Sequence, residues 1–178
     1  MKTITSTTCA CLTGLAMLIA GGCGDSGNWT LGTKGETSGP QQQVPEPVNL
    51  LLPESVSIHP FTGRTFAENG GISGIDVRIE TLDHYGDPTK AFGEFRFELY
   101  GFVPNRLDPK GKRIASWEES LLDPGTNLLH WDKITRMYIF KLQWAEPIAV
   151  DRRVVLVATF DSPFTDRMST ERQFVLGQ

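Results

Sequence analysis

Three segments of this chain alternate apolar and polar residues with a period of two, and a fourth is almost continuously apolar and β-branched. Ile75-Asp76-Val77-Arg78-Ile79-Glu80 has isoleucine and valine at every second position. Glu94-Phe95-Arg96-Phe97-Glu98-Leu99 sets two phenylalanines and a leucine on one side. Tyr138 to Trp144 does the same with Tyr138, Phe140, Leu142 and Trp144. A backbone that places successive side chains on opposite faces buries each of these sets at once, so they are expected to be half-buried strands. Val154 to Phe160 is expected to be a strand covered on both faces. Weaker strand signals lie at Val56–His59, Arg113–Trp117, Leu128–Trp131 and Gln173–Leu176. Between them stand turn formers: Pro60 to Gly63, Gly70-Gly71, Gly86-Asp87-Pro88, Asp108 to Gly111, Asp123-Pro124-Gly125 and Asp161-Ser162-Pro163. Ser116–Leu122 alone reads as a short helix, stopped by Asp123-Pro124. Seven or eight short strands with such turns describe an all-β fold, a single antiparallel β-sandwich over residues 50–178.

The remainder of the chain differs in composition. Its three cysteines, Cys9, Cys11 and Cys23, all precede residue 24, so the strand-bearing region can have neither a disulfide framework nor a cysteine-ligated metal. Lys2 is followed by an apolar stretch, Cys9–Ala20, shorter than the roughly 20 residues needed to cross a bilayer core but suited to a signal-peptide core. The stretch ends in Ala20-Gly21-Gly22-Cys23, which resembles the lipobox of bacterial lipoprotein precursors, with Ala20 where leucine is usual. The resemblance implies cleavage between Gly22 and Cys23, leaving residues 1–22 as signal peptide. It also implies a diacylglycerol on the Cys23 thiol and a protein held on a membrane of the bacterial cell envelope. Two or three acyl chains, at about 0.8 kcal/mol per buried methylene, suffice for a stable anchor. Gly24, in place of an aspartate, points to the outer membrane, with the domain facing the periplasm or the exterior. Residues 23–49 are rich in Gly, Pro, Thr and Gln and poor in apolar side chains, the composition of a tether.

Part of the domain carries a second resemblance. Val77 through Pro88, with Asp83 and Gly86 at its turn, followed by Phe95-Arg96-Phe97, is similar to the strand–turn–strand passage of bacterial immunoglobulin-like modules. That resemblance implies a Greek-key sandwich; transthyretin-like sandwiches share the pattern.

Chemistry-bearing constellations are sparse. The net charge of −4 argues against a nucleic-acid partner. Gly71-Ile72-Ser73-Gly74-Ile75 falls short of a G-x-S-x-G elbow and is expected to be a turn. Asp83, His84 and Asp87 cluster in one loop and form the candidate loop site, where oxygen and imidazole ligands could meet a metal, although two carboxylates are few for Ca²⁺. A solvated turn is the simpler expectation. Glu118 and Glu119, adjacent on a strand, would point to opposite faces. Trp117, Trp131 and Trp144, with Tyr85, Tyr100 and Phe102, could stack sugar rings, but their placement favours core and loop anchoring. No catalytic group, metal or cofactor is assigned. The leading expectation is a lipid-anchored, non-catalytic binding or structural module whose partner is an envelope protein or glycan. The alternative is a carbohydrate-binding or small enzymatic accessory domain using Asp83–Asp87 and His130–Asp132.

Overall fold

The computed structural model describes residues 42–45, 48–68 and 71–177. The lipobox residues Ala20, Gly21, Gly22 and Cys23 lie outside the described residues, as does the tether up to residue 41. A short 3-10 turn, Val48–Leu51, precedes the first strand, and the Gln42 N–H donates to the Pro163 carbonyl at 2.8 Å. The expected start of the domain at residue 50 thus falls inside an element.

Two antiparallel sheets pack face to face, so the chain folds as an all-β sandwich. In the first sheet β1 (Ser55–Ile58) and β2 (Arg64–Glu68) follow one another along the same edge of β3 (Gly71–Leu82). On its other edge β3 pairs with β7 (Met137–Ile148), and β7 pairs with the two-residue β6 (Trp131–Asp132). The second sheet runs β5 (Lys110–Ser120), β4 (Glu94–Phe102), β8 (Arg153–Asp161), β9 (Met168–Val175). The period-two stripes form the interface. Ile75, Val77 and Ile79 of β3 and Tyr138, Phe140 and Leu142 of β7 meet Phe95, Phe97 and Leu99 of β4 and Leu156, Ala158 and Phe160 of β8. Phe95 lies at the centre, its ring 4.7 Å from Phe160 and 5.4 Å from Phe140. Each such phenylalanine contributes about 1.5–3 kcal/mol on burial.

Five expectations need correction. Leu128–Trp131 is not a strand: Pro124–His130 form the short helix α1, and β6 starts at Trp131. Nor is Ser116–Leu122 helical, because β5 runs to Ser120. Asp123-Pro124 starts a helix where it was expected to stop one. The Asp123 carboxylate accepts from the Thr126 N–H at 2.8 Å, and Pro124, which has no N–H to lose, occupies the first turn. Gly71–Ile75 belongs to β3 rather than to a turn. Finally, β8 is not covered by a layer on both sides. Val155 is buried on the outer face beside its cross-strand neighbours Tyr100 and Gln173, whereas Val157 is half-buried.

One end of the sandwich is locked by a buried polar knot. Tyr138 is fully buried, and its hydroxyl accepts from the Ala91 N–H at 3.0 Å and donates to Asn127 Oδ1 at 2.8 Å. Asn127 Nδ2 in turn donates to the Ala91 and Leu121 carbonyls at 2.7 and 3.1 Å. Burial pushes the Tyr138 phenol up to about 12, even though the hydrogen bond accepted from the Ala91 N–H pulls it down. Helix α1 is thereby fixed to the β3–β4 loop through a core strand. Close by, Gly93 is required by space: a Cβ there would stand 2.3 Å from the Asp161 carbonyl oxygen and 2.8 Å from the Phe160 ring.

Candidate functional site

In the β3–β4 loop Asp83 is buried and spends its carboxylate on its own turn, Oδ1 accepting from the Tyr85 and Asp87 N–H groups at 2.9 and 3.0 Å. Gly86 sits at φ +81°, a conformation that favours glycine. His84 turns the other way, its Nδ1 2.9 Å from Glu54 Oε1. Among the described residues no group of three or more His, Cys, Asp or Glu is arranged to hold a metal ion. The loop's sequence signature is thus accounted for by turn geometry.

His130 and Asp132 are likewise engaged locally. His130 Nδ1 lies 3.1 Å from the Ile139 carbonyl, which can only accept, so Nδ1 carries the proton. Its Nε2 is 3.7 Å from Glu119, and its ring lies 4.7 Å from that of Phe140. Asp132 accepts from the Thr135 hydroxyl at 2.7 Å and the Ile134 N–H at 3.0 Å, and these bonds hold its carboxyl below the usual range. No hydrogen bond or ion pair among the described residues joins Asp83, His84 or Asp87 to His130 or Asp132. Glu118 and Glu119 do diverge: Glu118 meets Arg96 at 3.0 Å, and Glu119 faces His130.

The aromatic residues separate into anchors and a groove. Trp131 packs edge-on against Tyr138 at 5.0 Å, with the Lys90 ammonium 5.7 Å from its ring. Tyr85 is exposed. Tyr100 is half-buried on the outer face of the second sheet, where burial and the neighbouring Glu98 carboxylate raise its pKa. Trp117 and Trp144, by contrast, stand 6.2 Å apart where β5 and β7 face one another across the open side of the sandwich. Both indole N–H groups are spent on backbone, Trp117 on the Gln143 carbonyl at 2.7 Å and Trp144 on the Ile72 carbonyl at 2.8 Å. The second bond sits where the β3–β7 register jumps from Gly74–Gln143 to Ile72–Ile148, so Trp144 caps a carbonyl in the irregular stretch.

Between the two strands runs a groove of about 790 Å³, walled by residues 111–117 on one side and 143–149 on the other. Residues 101–103 and Arg152 close one end. Such a volume is within the usual range for ligand sites. The groove exists because, among the described residues, β6 pairs only with Met137 and Tyr138 and no other strand lies against that side of β7. Strand periodicity placed Trp144 on the inward stripe but could not reveal that β6 would be two residues long. No protein-family model, curated protein or solved structure matches the chain.

Proposed function

We propose that the chain is a bacterial envelope lipoprotein, anchored through Cys23, that presents an immunoglobulin-like Greek-key sandwich as a non-catalytic binding or structural module. The observation that carries this reading is the order of features along the chain. A short apolar stretch ends in Ala20-Gly21-Gly22-Cys23, a Gly- and Pro-rich segment follows, and then a sandwich with its own core. The finer fold reading is supported by strand order. Strands β1/β2, β3, β7, β6 in one sheet and β5, β4, β8, β9 in the other match the A-B-E-D and C′-C-F-G arrangement of immunoglobulin-like domains. That order favours the immunoglobulin-like reading over the transthyretin-like one.

The binding role is supported by the groove beside Trp117 and Trp144. The polar loop residues, in contrast, are taken up by local hydrogen bonds. The test is metabolic labelling with an alkyne fatty acid in a bacterial host that processes lipoproteins. The chain should take up label and fractionate with membranes, and Cys23→Ser should lose both. Equal labelling and equal membrane recovery of the two forms would defeat the proposal.

A further inference from the structure

The open side of the sandwich has two strand edges, and they are treated differently. On β7 the carbonyls of Ile139 and Gln143 turn away from β3, and each is capped by a side chain: His130 Nδ1 at 3.1 Å and Trp117 Nε1 at 2.7 Å. Those caps obstruct pairing along β7. On β5 the phase of the ladder is set by the Leu121 N–H, which donates to the Gly93 carbonyl at 2.8 Å. In antiparallel register the bonded pairs are then Phe95–Glu119 and Phe97–Trp117. Ser116 and Glu118 therefore turn their N–H and C=O groups outward, and among the described residues nothing bonds to them.

A hollow lies on each face of that bare edge. The inner one is the groove of about 790 Å³; the outer one, about 470 Å³, is formed by Arg96, Glu98, Arg113 and Glu118. Arg113, Ser116 and Trp117 border both. A strand laid along β5 would send alternate side chains into the two hollows, which is how strand addition acquires specificity.

The hollows differ in chemistry. With their N–H groups already bonded, Trp117 and Trp144 offer the inner one only apolar ring surface. At its end Lys112 and Arg152 are exposed and have no ion-pair partner among the described residues, against a single carboxylate, Glu146. The outer hollow is internally neutralised, Arg96 by Glu118 at 3.0 Å and Arg113 by Glu98 at 2.8 Å.

We infer that β5 takes an extended acidic peptide segment of another protein as an added strand. The segment carries apolar residues toward Trp117 and Trp144, small polar ones outward, and a carboxylate beside Lys112 and Arg152. This rests on the binding-module reading and names its site and partner chemistry, while anchoring at Cys23 stands or falls separately by fatty-acid labelling.

The probe is a blocked heptapeptide of alternating valine and threonine with aspartate at both ends. It is added to the full chain in detergent micelles while amide exchange is followed by NMR. The Ser116 and Glu118 amides should exchange at least tenfold more slowly with saturating probe, and Lys112→Glu with Arg152→Glu should weaken binding at least tenfold. Ser116→Pro should abolish binding, because it deletes an outward N–H that β4 does not use. If that variant fails to fold, the charge reversal decides. Unchanged exchange at millimolar probe would overturn the inference. So would protection that grows with protein concentration alone, which means a second copy. Quenching of tryptophan fluorescence by oligogalacturonate without amide protection, which means a glycan, would overturn it as well.

Discussion

Removing one oxygen from the core should cost more than removing most surface side chains entirely. In Tyr138→Phe the ring keeps its place among Phe95, Phe140 and Trp131, but two buried groups lose their partner. The Ala91 N–H, bonded at 3.0 Å, has no replacement acceptor, and Asn127 Oδ1, bonded at 2.8 Å, loses its donor. Each orphaned buried group costs roughly 1–3 kcal/mol, and part of the sum is offset because phenylalanine no longer buries a hydroxyl, so the expected loss is about 2–4 kcal/mol. Urea unfolding monitored by tryptophan fluorescence, with a slope near 2 kcal/mol per molar, would show the midpoint falling by about 1–2 M.

The pH dependence supplies a second signature. The Tyr138 phenol is raised to about 12 in the folded chain, above its unfolded value near 10. A raised value means that its contribution is complete below pH 10 and is lost as pH climbs through 12. Tyr138→Phe has no such contribution, so the gap between the two proteins should narrow over that window. A loss below 0.5 kcal/mol (about a quarter of the low end of that range), or a gap unchanged from pH 9 to 12, would refute the assignment of Tyr138 as a buried hydrogen-bonded pin.

Three further outcomes follow from the packing. Gly93→Ala forces a Cβ against the Asp161 carbonyl and the Phe160 ring, and should cost about 3 kcal/mol, read as a Tm lowered by roughly 6–12 °C in a thermal melt. The Asp123 carboxyl is held below its usual range by the Thr126 N–H and hydroxyl, so its share of stability is present above pH 4 and lost as pH falls through the lowered value. Asp123→Ala should therefore lower the urea midpoint at pH 7 and make less difference at pH 2. Trp117→Phe leaves the Gln143 carbonyl uncapped at a water-accessible edge, and should cost only about 1 kcal/mol. It should also change tryptophan emission, since the Trp117–Trp144 pair is broken.

How far the sequence foretold this structure depends on how local each signal was. The stripes of β3, β4 and β7 read directly, because period-two burial leaves its mark within six or seven residues. The Asp83 turn read equally well, since its bonds span four residues at most. Asp123-Pro124 misled because the same pair ends one element and begins another, and only the Thr126 bond shows which. Leu128 and Leu129 then looked like strand residues although they belong to a helix and are exposed. The groove was invisible for a different reason. It depends on Trp117 and Gln143 meeting across two sheets and on β6 stopping after two residues, neither of which any local window contains.

We propose that Cys23 carries a membrane anchor. The most direct test is mass spectrometry of the N-terminal peptide of the chain purified from bacterial membranes. The account predicts a peptide that begins at Cys23, with a diacylglycerol thioether on the sulfur. A peptide that runs unbroken through Gly22-Cys23, with an unmodified thiol, would contradict it.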